Sequence, residues 1–337
     1  MKISCLGEFG LIDKIRKSSA CSSPAVVVGI GDDAAVIKMA ASSVLLATTD
    51  MLIEHVHFDL SLTDFPSLGW KSAAVNLSDI AAMGGIPRFC LSSLAIPSGI
   101  SVEAVKGFYR GFSSLLRAHN TMLVGGDTSS SKSGFVVSVS VLGETKRGMA
   151  VYRSGAKYGD SVFVTGTLGD SGAGLEILKS GHRGQRAGVR NLIKKHNRPV
   201  PRIEWGRQIA LAKCASAMID ISDGLSSDLS HICDASGVGA VLFSDKIPLS
   251  TSLLKSATCL EKKPLHYALS GGEDYELLFT VPPSRMNKLK SLRIPITEIG
   301  RITKGNGLFL VNAEGRKALL KPTGYNHFKG SLDCKKR

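Results

Sequence analysis

Residues 44–52 read VLLATTDML, an apolar run followed by Ala-Thr-Thr and then by Asp50. The apolar run fits a strand, and an acid set behind small hydroxyl residues is predicted to sit half buried at the mouth of a sheet. The step recurs along the chain. It is found in VVVGIGDDAAVI at 26–37 (Asp32, Asp33), AVNLSDIAAMGG at 74–85 (Asp79) and MLVGGDTSS at 122–130 (Asp127). It returns in AMIDISDGL at 217–225 (Asp220, Asp223) and ALSGGEDYEL at 268–277 (Glu273, Asp274). Strand-like runs at 26–30, 44–48, 89–96 and 121–124, with the alternating FVVSVSVLGE from 135, enclose helical patterns near 64–83 and 101–118. A second set of strands, at 161–165, 217–221, 239–243, 275–280 and 308–311, alternates with helices near 168–180, 204–213 and 225–235. The pattern predicts two α/β domains, 1–148 and 149–337, with the acids divided between them and a site in the cleft where they meet.

A length of 337 residues suits two domains, each with its own core. Seven cysteines, never spaced as CxxC, suggest neither a disulfide framework nor a zinc knuckle, and reduced thiols in a cytosol are expected. No apolar stretch approaches a membrane span. The net charge of +14 admits nucleic acid, a membrane surface or an anionic small substrate. Much of the excess lies between Lys179 and Arg207 (Arg183, Arg186, Arg190, Lys194, Lys195, Arg198, Arg202) and in Lys335 to Arg337. Neither run interleaves the aromatics that a base-stacking surface needs, so a solvated basic face is expected in preference to nucleic-acid binding.

The recurring acids call for a cation. Cys and His do not accompany them consistently, and hard oxygen ligands suit magnesium or calcium, with magnesium holding a polyphosphate as the sharp expectation. For any single Asp the alternative is a turn or a helix cap. Asn76 and Asp79, three apart on the 64–83 helix, share a face and could both address one ion. Neither a Walker loop nor a Rossmann fingerprint is present. Gly125-Gly126-Asp127-Thr128 offers backbone N–H groups to phosphate, and Arg153 in VYRSGAKYGD offers a two-pronged clamp. The glycines of GTLGDSGAGLEIL at 166–178 are read as a structural turn, with phosphate docking at the following helix start as the lesser alternative.

GEFGLI at 7–12, GIGDDAAVI at 29–37, ATTDMLIEHVHF at 47–58, NLSDIAAMGG at 76–85, GGDT at 125–128, RSGAKYGD at 153–160, VTGTLGD at 164–170, IDISDGL at 219–225 and SGGEDYELLF at 270–279 occur in that order. With these motifs the chain closely resembles the thiamine-monophosphate kinase family, over nearly its whole length. The resemblance implies the two-domain α/β fold of the aminoimidazole ribonucleotide synthetase-like superfamily, paired through N-terminal sheets into a homodimer. It implies several magnesium ions on Asp33, Thr48, Thr49, Asp50, Asp79, Asp127, Asp220 and Asp223. ATP contacts are implied at Gly126, Asp127, Arg153 and Ser222, with Tyr109 of GFYRGF, and acceptor contacts at His57, Glu273 and Tyr325 of GYNHF, where the family usually has Trp. The reaction implied is direct in-line transfer of the ATP γ-phosphoryl to thiamine monophosphate, without a covalent enzyme intermediate. Cys5, Cys21 and Cys334 lack the contexts that selenophosphate synthetase or a hydrogenase-maturation relative would require. A basic nucleic-acid-binding protein is the competing reading from another class.

Overall fold

The computed structural model describes residues 26–28, 32, 35–38, 42–181 and 187–325. Outside them fall GEFGLI, Asp33, Arg183 and Arg186 of the basic run, Cys5, Cys21, Cys334 and the tail from Lys335.

Alternation of apolar and hydroxyl residues builds the first sheet. In β6 (Val136–Lys146), Val137, Val139 and Val141 are buried while Ser138 and Ser140 take the other face. It lies between β3 (Ser43–Ile53) and β4 (Ile86–Pro97), and β5 (Met122–Ser131) forms the edge beyond β4. At the other side β1 (Val26–Val28) and β2 (Ala35–Lys38) complete the order β1-β2-β3-β6-β4-β5. All pairings are antiparallel except β4 with β5, whose crossover carries α2 (Val102–Ala118). Two edges matter later. Among the described residues β2 covers no more of β3 than Val44 to Ala47, and β5 is exposed along nearly its whole length.

Two of the acids do not sit where strands end. Asp50 is inside the eleven-residue β3, opposite Val139, and Asp127 is inside the ten-residue β5, opposite Ser93. Thr, Ser and Gly punctuate these sequences without breaking the ladder, because an extended neighbour supplies hydrogen bonds whatever the side chain. Asp220 does fall at a strand end, as the last residue of β8 (Ala217–Asp220), and Asp223 lies in the turn that follows.

The second sheet runs β13 (Lys317–Leu319), β12 (Leu308–Val311), β9 (Gly239–Phe243), β11 (Ile296–Thr303), β7 (Ser161–Thr165), β10 (Leu277–Val281), β8. β7, β8 and β10 are buried throughout, in keeping with their unbroken apolar runs.

Helix α1 (Phe65–Ala82) joins the halves. Asp64 caps it, accepting a hydrogen bond from Ser67 N at 2.7 Å, and Pro66 occupies its first turn. Its small residues let it bury most of its circumference, against α2 and the first sheet on one side and α5 (Ile203–Ala212) and β8 on the other. A Cβ at Gly206 of α5 would stand 2.1 Å from the Ala81 carbonyl oxygen, so this crossing requires glycine. The remaining helices are α3 (Asp170–Lys179), α4 (Ala187–Asn197), α6 (Leu225–Ser236), α7 (Thr251–Lys255), α8 (Pro264–Ser270) and α9 (Met286–Lys290). No described helix is long and apolar enough to cross a membrane.

Candidate active site

Adjacent residues on α1 tie the two sheets together through acids. Asp79 accepts a hydrogen bond from Thr48 Oγ1 at 2.5 Å, and Ser78 Oγ donates to Asp220 Oδ2 at 2.6 Å. Thr48 and Asp50 share the helix-covered face of β3. Thr49 takes the opposite face, where its hydroxyl donates to the Val139 carbonyl and receives Ser140 Oγ at 3.0 Å. Asn76 is fully buried, and among the described residues its Oδ1 has no hydrogen-bond partner.

The segment Gly271 to Glu276 lies against the end of β8. Glu273 N donates to Ser222 O and Tyr275 N to Ile221 O, at 2.7 and 2.9 Å. To make both contacts the chain winds left-handed at Gly272, Glu273 and Tyr275, with φ of 63°, 55° and 51°. The Tyr275 phenol is thereby buried among acids. Burial pushes its pKa well above the ordinary value, and the charges of Glu273, Asp50, Asp220 and Asp79 push it further. The charges of four acids from four separate segments thus all bear on one buried phenol.

Glu273 receives Lys71 Nζ at 2.8 Å. Burial opposes its ionisation, yet Lys71, His196 and His57 outweigh burial and hold the carboxyl below its usual range. His57 stands in the turn after β3, where Nδ1 accepts from Ile53 N at 2.9 Å. Tyr325 reaches the same region because the C-terminal segment docks on the Ser-Asp-Gly turn. Its N donates to Asp223 O at 3.3 Å, and a Cβ at Gly324 would stand 2.4 Å from that oxygen. The Tyr325 side chain is half exposed.

Arg153 lies beside Asp32, with Nε 3.8 Å from Oδ1 and its backbone N donating to Oδ2 at 3.3 Å. Asp228 and His231, which the sequence reading missed, feel the charge of Arg153. Their ligand atoms and that of Asp223 lie within 4.8 Å of one another. Asp228 accepts from the N–H groups of Asp223 and Gly224, so it holds the turn. Burial, with the charges of Asp223 and Asp220, pushes its carboxyl well up, and burial with Arg153 pushes His231 down to about 4.

Gly126, Asp127 and Tyr109 stand apart from this cluster. The register row of Asp127 runs through Ser93 and Ser138 to Met51, on the face opposite Asp50. Three strand spacings separate Asp127 from Asp50, about 14 Å. A Cβ at Gly126 would meet the Ser92 carbonyl oxygen at 1.9 Å. Tyr109 packs edge-on against Phe108 and Phe112 and lines an open groove along α2 with Lys106, Arg110 and Arg117.

Gly166 to Gly169 form the expected turn, and Gly172 and Gly174 of the same cluster lie inside α3. The start of α3 is already occupied, since the Asp274 carboxyl accepts from Gly169 N at 2.7 Å and Ser171 N at 3.2 Å, which leaves phosphate no place there. Burial pushes Asp274 up to about 8 against the pull of those amides. Glu276 is clamped by both prongs of Arg202 and by Thr165 Oγ1.

The description "AIR synthase related protein, N-terminal domain" matches residues 31–145, and its C-terminal counterpart matches 157–311. Thiamine-monophosphate kinase of Aquifex aeolicus (strain VF5) is 42% identical over 328 residues, spanning 97% of this chain and 100% of that protein. The chain belongs to the thiamine-monophosphate kinase family. The enzyme of the same name from Bacillus subtilis (strain 168) is 40% identical over 331 residues, 96% of this chain and 100% of its own. The solved structure "AaThiL complexed with AMPPCP and TMP" superposes with a TM-score of 0.86 at 42% identity, covering 97% of this chain and 99% of that one. The chain therefore has the two-domain architecture of the family and is a kinase.

Proposed function

We propose that the chain phosphorylates thiamine monophosphate to thiamine diphosphate, transferring the ATP γ-phosphoryl directly and in line, with magnesium ions held by its acids. The observation that carries this reading is the bonding of Thr48 to Asp79 and of Ser78 to Asp220, which brings acids of both domains to adjacent residues of one helix, with Asp50 on the same face of β3 as Thr48. The donor set is oxygen only, and the orphaned Asn76 Oδ1 lies one turn from Asp79 on the same helix, so the residues fit a hard divalent cation. Thr48, Asp50, Asp79 and Asp220 would hold magnesium, with Asp33, Thr49, Asp127 and Asp223 completing the set; bound there, the ions supply charge neutralisation between two polyphosphates.

The protein's own groups position the reactants. Arg153, Ser222, Gly126 and Tyr109, with Asp127, are assigned to ATP, and His57, Glu273 and Tyr325 to the acceptor. The docking of Tyr325 on the Asp223 turn, next to the Ser222 carbonyl that receives Glu273 N, supports the second group. The acceptor phosphate is already ionised, so no side chain has to remove a proton.

The enzyme acts as a homodimer in this reading. Met51, Phe89, Leu91, Met122, Leu123 and Val124 are exposed on the first sheet, more apolar surface than a monomer normally leaves in water. The edge of β5 and the Thr48 to Ile53 stretch of β3 are each paired on one side among the described strands. A second copy laying its β5 along that stretch would set its Asp127 beside Asp50, uniting acids that lie far apart within one chain. The domain boundary is placed near residue 148, between the sheets, and the location is cytoplasmic.

Formation of thiamine diphosphate from ATP and thiamine monophosphate, followed against magnesium concentration, tests the reaction; absence of product from folded protein overturns it. The dimer is tested by mixing inactive Asp50→Ala and Asp127→Ala copies. Shared sites give one intact site per mixed dimer and restored activity. Subunit exchange without recovery would mean that each site is built within one chain.

A further inference from the structure

The basic run between Lys179 and Arg207, which composition alone leaves as a solvated face, sends its C-terminal end into the protein. Three residues on one face of α1 receive it. Arg198 Nε donates to Ser67 Oγ at 3.0 Å, Trp70 Nε1 donates to the Pro199 carbonyl at 2.6 Å, and Lys71 Nζ meets His196 Nε2 at 3.3 Å. Lys71 and His196 are both buried, at 4% and 6% exposure, and both reach Glu273. Lys71 Nζ stands 2.8 Å and His196 Nδ1 3.3 Å from the same oxygen, Oε2. Among the described residues no hydrogen bond reaches Oε1, and the Glu273 side chain keeps 28% of its surface open.

The donor and acceptor roles follow from chemistry. An ammonium only donates, so His196 Nε2 accepts from Lys71 and the ring proton sits on Nδ1, facing Glu273 and the Ser171 hydroxyl at 3.1 Å. Burial, with the charge of Lys71, pushes His196 down to about 3, so the ring is neutral and Lys71 is the cation of the group.

We infer that Lys71 and His196 are positioning residues for the phosphate acceptor, holding Glu273 by Oε2 so that Oε1 is presented to the bound substrate. This rests on the reading that Glu273 meets the acceptor. It gives the basic run a function, since its buried end and the first domain's helix together set the aim of a carboxylate carried by the second domain.

The test uses the full-length enzyme, with each substrate varied in turn. Lys71→Met should raise KM for thiamine monophosphate about tenfold or more while KM for ATP changes less than about twofold. Its penalty relative to wild type should grow as the pH falls, because Glu273 without its cation takes up a proton in that direction. The other groups that face this cluster, His57, Tyr275 and, toward His196, Lys179, are unchanged in the variant. His196→Gln should give a smaller acceptor effect, about threefold, and Lys71→Arg should recover most of the loss. Glu273→Gln sets the limit, and the double variant Lys71→Met with Glu273→Gln should be no worse than Glu273→Gln alone.

If Glu273→Gln raises the acceptor KM but folded Lys71→Met does not, or raises both KM values equally, the positioning role is wrong. If Glu273→Gln itself leaves the acceptor KM unchanged, the assignment of Glu273 to the acceptor fails instead. Should Lys71→Met not fold, His196→Gln and Lys71→Arg decide through the same split between the two KM values.

Discussion

Two parts of the site secure their carboxylates differently. At the acidic end, Asp79 and Asp220 are held by hydroxyls, Thr48 and Ser78, which fix direction but cancel no charge. At the other end Glu273 is held by an ammonium, and its charge is balanced inside the fold. A carboxylate with its own cation is a finished part that can aim at a neutral or cationic group of a substrate. Carboxylates met by neutral hydroxyls form an all-oxygen set, and it is this part of the site that the proposed reading gives to the metal.

The sharpest break of this contrast is at the acidic end. Asp50→Ala or Asp79→Asn should lower kcat on the order of a thousandfold at saturating magnesium, with Tm within a few degrees of wild type, because charge is lost but little apolar packing. Near-normal turnover in either folded variant would remove the metal assignment. Arg153→Lys keeps the charge but loses the fork, so KM for ATP should rise roughly tenfold with little change in Tm. A lower Tm with unchanged ATP kinetics would make Arg153 a structural partner of Asp32.

At the acceptor end, Tyr325→Ala should raise KM for thiamine monophosphate about two- to thirty-fold, from a ring contact of about 0.5 to 2 kcal/mol, and leave ATP constants in place. Tyr325→Trp should match or improve on wild type. Unaltered acceptor kinetics in the alanine variant would reduce Tyr325 to packing. The smallest effect concerns Asp274, whose neighbour Glu273 is shifted the other way. With its pKa raised from an ordinary 3.8 to about 8, Asp274 keeps a proton in the fold that the unfolded chain releases. The stability tied to that proton is present at low pH and is lost as pH rises from about 4 to 8. Asp274→Asn should therefore gain on wild type by about a few degrees in Tm between pH 5 and 8; parallel curves would mean that Asp274 is ionised in the fold throughout.

Much of this was legible before any coordinates. Apolar runs and the alternation from residue 135 marked strands in both sheets, small residues before Asp pointed to Asp50 and Asp79, and an apolar run ending in Asp pointed to Asp220. The positions of Asp50 and Asp127 along their strands were not legible, because Thr and Ser continue a ladder as readily as they end one. The brace on Glu273 was hidden for another reason. Lys71 is a single charge in the otherwise small and apolar SLGWKSAAV, which is a signal for a buried cation, but its partner His196 lies inside a run that reads as solvent-facing by charge. Only the fold brings residues 125 positions apart together. The pairing of Asp274 with the start of α3 is of the same kind, since a carboxylate 103 to 105 residues away leaves no local trace.

The left-handed backbone at Glu273 and Tyr275 also bears on the order in which the site is made. Each such residue costs about 1 to 2 kcal/mol more than a relaxed one, and the contacts that compensate, with Lys71 and with the Ser222 and Ile221 carbonyls, come partly from the other domain. The loop thus has no reason to close until the domains have docked. It should be the last element to form and the first to open. In native-state hydrogen exchange, the amides of Glu273 and Tyr275 would then exchange through a local opening well before the β10 ladder beside them, and a molecule caught in that opening would keep both sheets while having lost its grip on the acceptor.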